Sequence, residues 1–540
     1  MKDLDPIFVA ACPPDGPGFV VGVARQGEVI YRRAFGMASI EHRVVNHPGT
    51  RMRLASVTKH MACVAALLLA EDGMLDLDVP ASRWLPELPP VARRVTLRQL
   101  MQHTSGQRCC LELAVIGGMR HLPARWCLDT MFRQRELSFS CGSSWLYNNG
   151  GYELLSEAMA RASGIPFEQV LQERLFRPLG MNDTVSLPDD MLIEPGIATF
   201  HQPTPTGGWV RGLTLIDDNR GAGAVVTTVD DMLRWLANLR GPARAVGSPA
   251  LWQQMAESAV LADGTRSGYG LGLYMHRYRG VDVLHHGGSL GGVASQIVTV
   301  PAHGLDIVIM ANGALVNPVQ MAWQVVDAVL GGELQGEAPP LVPFQGLAHL
   351  KGTQYRAASG LLVGFDDVGG QLGLRLMGSP PMPVVRDLGA QIGLRVEETG
   401  FGPLLFDRAS LAAGADGTPP AEIHLVEAGQ AQRLALLPGS GGADALGDDS
   451  LLGRYESNDL GGRAEVVRDG GRLLMTLAVP GGGREFVLHP LGADAWALAA
   501  TDPEMPGFYA LSAERKRGRV TSLRLDTVRV RRLRFDRVGP

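Results

Sequence analysis

The chain has 540 residues and a mass of 57.7 kDa, which exceeds one ordinary domain, so two to four domains are expected. Its 45% hydrophobic and 19% charged residues are typical of a soluble globular protein. A net charge of −5 gives no reason to expect nucleic-acid binding, and no run approaches the ~18 apolar residues of a membrane helix.

The N-terminal segment has acidic residues and prolines where a secretory signal needs an uninterrupted apolar stretch (MKDLDPIFVAACPPDGPGF). A cytoplasmic protein is therefore expected. The six cysteines all fall in the first third of the chain, and their spacing matches no zinc pattern. In a reducing compartment we expect free, mostly buried thiols, and a disulfide between Cys109 and Cys110 is not expected.

The first 332 residues are predicted to form a sheet from strands at both ends, with helices between them. Two strands are expected around a turn at residues 25–27, and helical and loop segments follow to about residue 185. Thr228 is a candidate N-cap for the helix DDMLRWLANL. Strand-like segments return after Tyr269 (YGLGLYM, VDVLHHGG, ASQIVTV, LDIVIMAN), and the helix PVQMAWQVVDAVLGG closes the segment. This order indicates an antiparallel sheet covered by helices.

The rest of the chain is predicted to be all-β. Residues 333–346 are expected to be a linker, because they are rich in proline and glycine. Short alternating strands follow, and a second break at 438–450 separates a unit at 347–437 from one at 451–540. The two units open alike (LKGTQYRAASG and LLGRYESNDLG), which indicates a duplication. The arginine-rich end (RVTSLRLDTVRVRRLRFDR) favours a strand pair with one solvated face over a nucleic-acid patch.

Ser56 and Lys59 stand three residues apart in ASVTKH, at the start of a long apolar run. On a helix these side chains lie one turn apart on the same face, within hydrogen-bond reach. Lys59 is one of only four lysines in a chain with 50 basic residues, and a guanidinium, unlike an amine, cannot be deprotonated. A serine nucleophile needs a neighbouring base, which a buried lysine can supply or hold ionised. Taken alone, the pair is also compatible with an ordinary serine and lysine on a helix.

Two later motifs could complete a site. Tyr147 and Asn149 lie in YNNGGY, a glycine-rich stretch expected to be irregular, so that both side chains could project into a cleft. The segment LHHGGSLGG lies between two predicted strands, where glycines let the backbone approach a ligand closely. By itself, each motif is more simply a loop with a packed tyrosine or a tight hairpin.

Other catalytic motifs are rejected or missing. Residues 287–291 match G-x-S-x-G, but that nucleophile turn requires a helix after the serine, and a strand-like segment follows here. Ser289 is therefore not expected to be the nucleophile. The sequence contains neither HExxH nor GxxxxGK[ST], so metal and nucleotide chemistry have no support.

The motifs Ser-x-x-Lys, Tyr-x-Asn and His-x-Gly, in this order, resemble the penicillin-recognising serine hydrolases, which include β-lactamases, DD-peptidases and related esterases. The flanking phrases LRQLMQHTSG, ERLFRPLGM, GAGAVVTTVDDM and YGLGL are similar as well, and the resemblance covers about residues 17–332. It implies an α+β fold: a β-lactamase-like catalytic domain at 1–332, followed here by two antiparallel β-barrel domains.

The two trailing β units narrow the resemblance to the bacterial D-stereospecific aminopeptidases. That family has His-Gly-Gly as its third motif, which residues 286–288 match, and its last domain opens with Gly-Arg-Tyr, as at residues 453–455. The resemblance implies that His286 faces the site and that His285 is a structural neighbour. DD-peptidases and many β-lactamases have lysine here, which suits a substrate carboxylate, whereas a mostly neutral histidine does not demand an anion.

An exopeptidase that reads the amino end of its substrate needs a negative group for the ammonium. The family supplies this group from a loop of the last domain that reaches into the active site, and AATDPEMPGFY is the matching segment. Asp502 is the candidate acid, and Glu504 is the nearby alternative. An ordinary turn aspartate before Pro503 is an equally good interpretation.

The resemblance implies acyl transfer through a covalent intermediate, without a metal or an organic cofactor. Ser56 attacks the carbonyl of an N-terminal D-residue, and Tyr147, kept anionic by Lys59, carries the serine proton to the leaving amine. Lys59 can share that role. The backbone N–H groups of Ser56 and Ser289 would hold the oxyanion. The remaining implied substrate contacts are Asn149, His286 and Gly288.

The expected partner is a small peptide or amide with an N-terminal D-residue, and neither nucleic acid nor a membrane is expected to bind. The family resemblance implies a homodimer. An esterase, a β-lactamase or a DD-carboxypeptidase on the same scaffold remains an alternative, although the neutral His286 argues against a carboxylate clamp. A non-catalytic binding relative, or a scaffold protein built on the barrels, belongs to a different class, and the intact set of motifs weighs against it.

Overall fold

The computed structural model of the chain describes residues 3–12, 15–212, 218–241, 244–313, 315–395, 403–437, 449–492, 494–503, 505 and 507–539. Within these ranges no helix combines the length and hydropathy needed to cross a membrane. The helices are α1 Asp5–Val9, α2 Thr58–Glu71, α3 Leu97–Met101, α4 Cys110–Ile116, α5 Trp126–Phe132, α6 Asn149–Ser163, α7 Phe167–Leu171, α8 Arg220–Gly223, α9 Val229–Arg240, α10 Pro249–Met255 and α11 Pro318–Leu330.

The strands before α11 are β1 Phe19–Arg25, β2 Glu28–Phe35, β3 Met37–Ser39, β4 Val44–Val45, β5 Met52–Arg53, β6 Val185–Ser186, β7 His201–Pro203, β8 Trp209–Arg211, β9 Val225–Thr227, β10 Tyr274–Tyr278, β11 Val281–Leu290, β12 Val293–Val300 and β13 Leu305–Ala311. Six of them form one antiparallel sheet in the order β10-β11-β12-β13-β1-β2. The sheet thus joins the start of this segment to its end, as the sequence predicts.

Helices cover both faces of this sheet. Strand β13 is buried along its whole length, which explains its continuous apolar sequence. Successive side chains point to opposite faces. Ile307 belongs to the core formed with α1 and α11, whereas Val308 belongs to the core that contains α2 and α9. The expected sheet covered by helices is confirmed.

Two local predictions are confirmed and one is wrong. Gln26 and Gly27 both have positive φ, 53° and 85°, as a two-residue turn between β1 and β2 requires. The Thr228 hydroxyl caps α9 by accepting a hydrogen bond from the Asp231 N–H at 3.3 Å. The segment 269–273, however, is not part of a strand. A Cβ at Gly272 would come within 2.6 Å of the His60 backbone, so this segment is a loop packed tightly against α2.

Two antiparallel sheets follow α11, each with eight strands. The first contains β14 Gln354–Ala357, β15 Leu362–Val368, β16 Gln371–Leu376, β17 Arg386–Asp387, β18 Gln391–Leu394, β19 Leu404–Asp407, β20 Glu422–Glu427 and β21 Gln430–Leu436. The second contains β22 Gly453–Ser457, β23 Gly462–Asp469, β24 Arg472–Val479, β25 Gly482–Gly492, β26 Ala495–Ala500, β27 Phe508–Lys516, β28 Arg519–Asp526 and β29 Leu533–Gly539.

The second of these sheets closes into a barrel, in which β22 pairs with β29. The first has the order β16-β15-β14-β21-β20-β19-β18-β17, and within the described residues its two edge strands do not pair with each other. The β-lactamase-like fold with two extra β units is confirmed, with the refinement that the first unit is a curled, open sheet. Of the predicted linker at 438–450, residues 438–448 lie outside the described residues.

The last barrel packs directly on the catalytic domain through a buried arginine. Arg108 is fully buried, and its guanidinium pairs with Asp459 of the barrel. The guanidinium also donates to the carbonyl oxygens of Arg531 at 3.2 Å and Arg532 at 2.8 Å. A buried cation is tolerated only when its donors are satisfied, and these partners satisfy them. Arg108 therefore holds the turn between β28 and β29 against the catalytic domain.

Candidate active site

Ser56 lies in a short 3₁₀ turn, Ala55–Val57, that leads directly into α2. Ala55 has φ 47°, a left-handed conformation that residues with a Cβ rarely adopt, so the chain turns sharply before the serine. Between Met52 and Leu69, Ser56 is the one residue that is not buried. The local backbone thus presents the Ser56 hydroxyl at a surface while burying its neighbours.

Lys59 is fully buried, and its Nζ has three close neighbours. They are the Asn149 side-chain oxygen at 2.7 Å, the Ala222 carbonyl at 2.8 Å and the Ser56 hydroxyl at 3.1 Å. Burial lowers the pKa of Lys59 well below its usual value. A neutral amine has two N–H donors and one lone pair, so it can donate to the two carbonyl oxygens and accept from the serine. This arrangement suits Lys59 as the base for Ser56.

Tyr147 lies beside this pair, with the Lys59 nitrogen 4.9 Å from the centre of its ring. Its hydroxyl is buried and forms no hydrogen bond of normal geometry among the described residues. Burial raises the pKa of Tyr147, although Ser56 and Arg529 are close enough to act in the opposite direction. The surroundings therefore favour the neutral phenol over the anionic tyrosine that the sequence resemblance implies.

The YNNGGY stretch is not irregular, because α6 begins at Asn149. Asn148 caps the helix by accepting a hydrogen bond from the Gly150 N–H at 2.9 Å. A Cβ at Gly150 would lie 2.3 Å from the Met131 sulfur, so the first turn of α6 packs too closely on α5 for a side chain. This packing brings Asn149 to Lys59.

Strand β11 packs directly against the turn that carries Ser56, because Gly288 has no side chain. A Cβ at Gly288 would lie 2.1 Å from the Leu54 carbonyl oxygen, in the turn that carries Ser56. The Ser295 hydroxyl donates to the same oxygen at 2.6 Å and ties β12 to that turn. Ser289, the next residue, therefore lies close to the turn that carries Ser56, and both serines line the same cavity.

These residues surround a cavity of about 370 Å³. Its described lining residues are Ala55, Ser56, Leu111, Tyr147, Asn149, Asn219, Ala222, Gly287, Gly288, Ser289, Leu290, Asn317, Val319 and Arg529. The structure thus brings together Ser56, Tyr147, Asn149, Gly288 and Ser289, with Lys59 buried directly behind Ser56 and Asn149.

His286 does not line the cavity. Its Nδ1 lies 2.6 Å from the Gly287 carbonyl, and its Nε2 lies 3.1 Å from the Tyr269 hydroxyl, so both ring nitrogens have internal partners. Burial lowers the pKa of His286, which keeps the ring neutral. Its ring centre is 6.1 Å from that of Tyr147. His286 thus packs near Tyr147, and its contact with a substrate stays a prediction.

Asp502 also lies outside the described cavity wall. Its carboxylate accepts a hydrogen bond from Arg120 at 3.0 Å, and its side chain is 37% exposed. Glu504 lies outside the described residues. Among the described residues of the last barrel, only Arg529 lines this cavity, and it belongs to a different loop from the one that the resemblance implies.

Arg529 is the functional candidate that the sequence patterns miss. The predicted strand pair at the C-terminal end is confirmed as β28 and β29. The turn between these strands also contributes Arg529 to the lining of the cavity. The guanidinium carbon of Arg529 lies 4.9 Å from the centre of the Tyr147 ring, a cation–π distance. The sequence does contain an indication of a special role for this turn, because three of its six residues, 527–532, are arginines.

One cysteine prediction is wrong. Cys110 and Cys127 form a disulfide between α4 and α5. The prediction rested on an assumed reducing compartment and not on the positions of the sulfurs. Cys109 borders the site, because its sulfur accepts a hydrogen bond from the Asn149 backbone N–H at 3.4 Å.

The chain is similar in sequence to known proteins. A family model described as Beta-lactamase matches residues 11–330, more than half of the chain. A D-aminopeptidase of Gluconobacter oxydans (strain 621H) is 28% identical over 550 residues, which cover 97% of this chain and 96% of that protein.

Two solved structures are similar in fold. The octameric penicillin-binding protein homologue from Pyrococcus abyssi has a TM-score of 0.55 and 18% identity over 98% of both chains. A D-stereospecific amidohydrolase from Streptomyces sp. has a TM-score of 0.51 and 22% identity, and the match covers 61% of this chain and 98% of that one.

Proposed function

Because the chain belongs to the Beta-lactamase family, we propose that it is a serine exopeptidase that releases an N-terminal D-amino acid from small peptides, amides or esters. The observation that carries the proposal is the 3.1 Å hydrogen bond between the buried Lys59 amine and the Ser56 hydroxyl at the cavity. Similarity to a D-aminopeptidase along nearly the whole chain, both β units included, supports this substrate class over others in the family.

The reaction begins when the Ser56 oxygen attacks the carbonyl carbon of the first residue and its proton passes to the neutral Lys59 amine. The backbone N–H groups of Ser56 and Ser289 receive the negative charge that develops on the carbonyl oxygen. Tyr147, as a neutral phenol, donates a proton to the departing amine and regains one from Lys59. Water then attacks the acyl-enzyme, and Lys59 accepts its proton. As the ester bond to Ser56 breaks, Lys59 returns this proton to the serine oxygen and the free D-amino acid leaves.

The positions of two other side chains fit this sequence of steps. Asn149 accepts from Lys59 through its oxygen, and its amide nitrogen donates one N–H to the Cys109 sulfur at 3.6 Å. The second N–H of this nitrogen is the donor that orients the substrate. Gly288 keeps the cavity open beside Ser56, so an extended substrate can lie along β11. In this scheme His286 positions Tyr147 through packing.

The decisive experiment compares D-alanine p-nitroanilide with its L-enantiomer. Cleavage of the D-anilide, no cleavage of the L-anilide and loss of activity in Ser56→Ala are expected. Ser82→Ala, outside the lining of the cavity, serves as the matched control and should behave as the wild type. Equal cleavage of both enantiomers would contradict the proposed stereospecificity.

An esterase on the same scaffold is the second candidate. None of the described cavity-lining residues is acidic, so this described part of the wall supplies no carboxylate for a substrate ammonium. Hydrolysis of short-chain esters without any cleavage of D-anilides would favour this alternative. A β-lactamase or a DD-carboxypeptidase would instead be identified by turnover of a β-lactam or of a C-terminal D-Ala-D-Ala peptide.

The proposal also includes a homodimer and a cytoplasmic location. Both come from the sequence, the first through the family resemblance and the second through the N-terminal composition. Light scattering coupled to size-exclusion chromatography measures the first, and fractionation of cells that express the chain tests the second.

A further inference from the structure

We propose that Arg529 binds a carboxylate of the substrate, which makes short peptides with a free C-terminal carboxylate next to the scissile bond the preferred substrates. The inference rests on the proposed function, since it assigns the leaving-group side of the same reaction. It also gives the last barrel a role in the choice of substrate.

The turn that carries Arg529 is held in place on three sides. The Thr527 hydroxyl accepts hydrogen bonds from the N–H groups of Arg529 and Val530, both at 3.0 Å, and Val530 is fully buried. The catalytic domain binds the next two carbonyl groups through Arg108. The middle sheet contributes Glu427, which accepts from the Arg531 side chain at 3.1 Å. The backbone of Arg529 is thus fixed at the interface of three units.

The position of the guanidinium places it within reach of the reacting groups. It lies 4.9 Å from the ring centre of Tyr147, the same distance as the Lys59 nitrogen from that ring. One residue of an extended peptide spans about 3.3–3.6 Å. A carboxylate one residue beyond the bond that Ser56 attacks can therefore reach the guanidinium.

The charge of the cavity favours an anion at this place. None of the described lining residues is acidic, and the polar ones besides Arg529 are neutral asparagines, serines and a tyrosine. Arginine stays charged at any physiological pH, and its planar fork matches both oxygens of a carboxylate. The positive field of Arg529 also contributes to the lowered pKa of Lys59 and His286. This polarity directs the substrate carboxylate toward the barrel and its ammonium away from it.

The neutral third motif lacks a positive charge for a carboxylate. In this cavity the last barrel therefore supplies that charge. The lysine that other members of the superfamily use for a carboxylate is replaced by His286, whose ring is turned to internal partners. Arg529 instead packs against the ring of Tyr147 and lines the cavity. We expect a carboxylate preference despite the histidine.

The test compares D-Ala-Gly with D-Ala-Gly amide, which differ in one negative charge. For the wild type, kcat/KM should be at least about tenfold higher for the free acid, in line with the strength of charge-assisted hydrogen bonds. Arg529→Gln should reduce this preference to within about twofold, mainly through KM, and Arg529→Lys should retain part of it. The exposed Arg519 on β28 offers the matched control, and Arg519→Gln should keep the full preference.

A second pair of substrates distinguishes two sources of the carboxylate. If Arg529 binds an acidic side chain of the D-residue, kcat/KM for D-Glu-Gly amide will exceed kcat/KM for D-Gln-Gly amide. The kcat/KM values of D-Ala-Gly and its amide will then be equal. That result would overturn the assignment to the leaving group. Equal rates for D-Ala-Gly and its amide in the wild type would also overturn the inference, even if Arg529→Gln does not fold.

Failure of the proposed function can be told apart from failure of this inference. If no D-peptide is cleaved, the proposed function is wrong, and calorimetric binding of the acid and the amide to the wild-type chain then tests Arg529 alone. Tighter binding of the acid would support the inference, and equal binding would overturn it.

Discussion

The Lys59 amine donates to Asn149 at 2.7 Å, in the first turn of a helix that begins 90 residues later in the chain. This bond joins the helix that carries the serine–lysine pair to the one that carries Asn149. In a neutral amine, this bond and the bond to the Ala222 carbonyl use both N–H groups, which leaves the lone pair for Ser56.

Lys59→Arg should lower kcat for D-anilides at least about 100-fold, because an arginine cannot accept the serine proton. The positive charge is conserved, so a purely electrostatic role would leave more activity than this. Lys351→Arg, at an exposed lysine of the middle unit, is the matched control and should have wild-type activity. Both variants can be compared by single-turnover kinetics and by thermal unfolding, and wild-type kcat in Lys59→Arg would exclude Lys59 as the base.

The rate should rise with pH, because only neutral Lys59 accepts the serine proton and burial lowers its pKa. Arg529 adds to this lowering, so Arg529→Gln should raise the pKa of Lys59 and move the acidic limb of kcat/KM to higher pH. The neutral substrate D-alanine p-nitroanilide isolates this effect from carboxylate binding. Arg519→Gln should leave the limb in place, and a shift to lower pH in Arg529→Gln would contradict the sign of the interaction.

Gly288→Ala should impair catalysis more than stability. The added methyl group would collide with the Leu54 carbonyl and push β11 away from the serine turn, which separates the Ser289 N–H from Ser56. A loss of about 100-fold in kcat is expected from the loss of one oxyanion donor. Gly332→Ala, where the methyl group meets nothing within 4 Å, is the control. Circular dichroism and thermal melts confirm the fold, and unchanged kcat in Gly288→Ala would exclude this close approach.

Reduction of the Cys110–Cys127 disulfide should destabilise the catalytic domain. The bond closes a loop of 17 residues, and a loop of this size contributes about 3 kcal/mol in the chain-entropy account. Thermal unfolding of the wild type with and without dithiothreitol measures the effect. The double variant with Cys110→Ser and Cys127→Ser should melt at one temperature in both conditions. An equal effect of the reductant on that variant would show that another group is responsible.

Local patterns in the sequence were sufficient to predict most of the candidate site residues that the catalytic domain contributes. Ser56 and Lys59 are three residues apart, so the geometry of a single helical turn brings them together. The glycines at 287 and 288 signal a close approach of backbones, and the structure shows the partner to be the serine turn.

The remaining parts of the site depend on contacts between distant segments. The direction of the His286 ring is decided by Tyr269, and the charge of the cavity is decided by the docking of the last barrel. YNNGGY was expected to be irregular because glycine disfavours helices, yet Asn148 caps the turn and Met131 leaves no room for side chains. Asp502 was assigned from a family loop, and its bond to Arg120 could not be predicted from spacing.

Arg108 binds the β28–β29 turn to the catalytic domain, and this contact affects how a new substrate specificity could arise in this protein. The serine, its base and its oxyanion donors come from the catalytic domain, whereas the charged wall comes from a barrel turn that contributes none of these proposed catalytic groups. Substitutions in that turn could change which substrates are accepted without altering the reaction itself. Selection for a new substrate is therefore expected to act on residues 527–532 before it acts on the helix that carries Lys59.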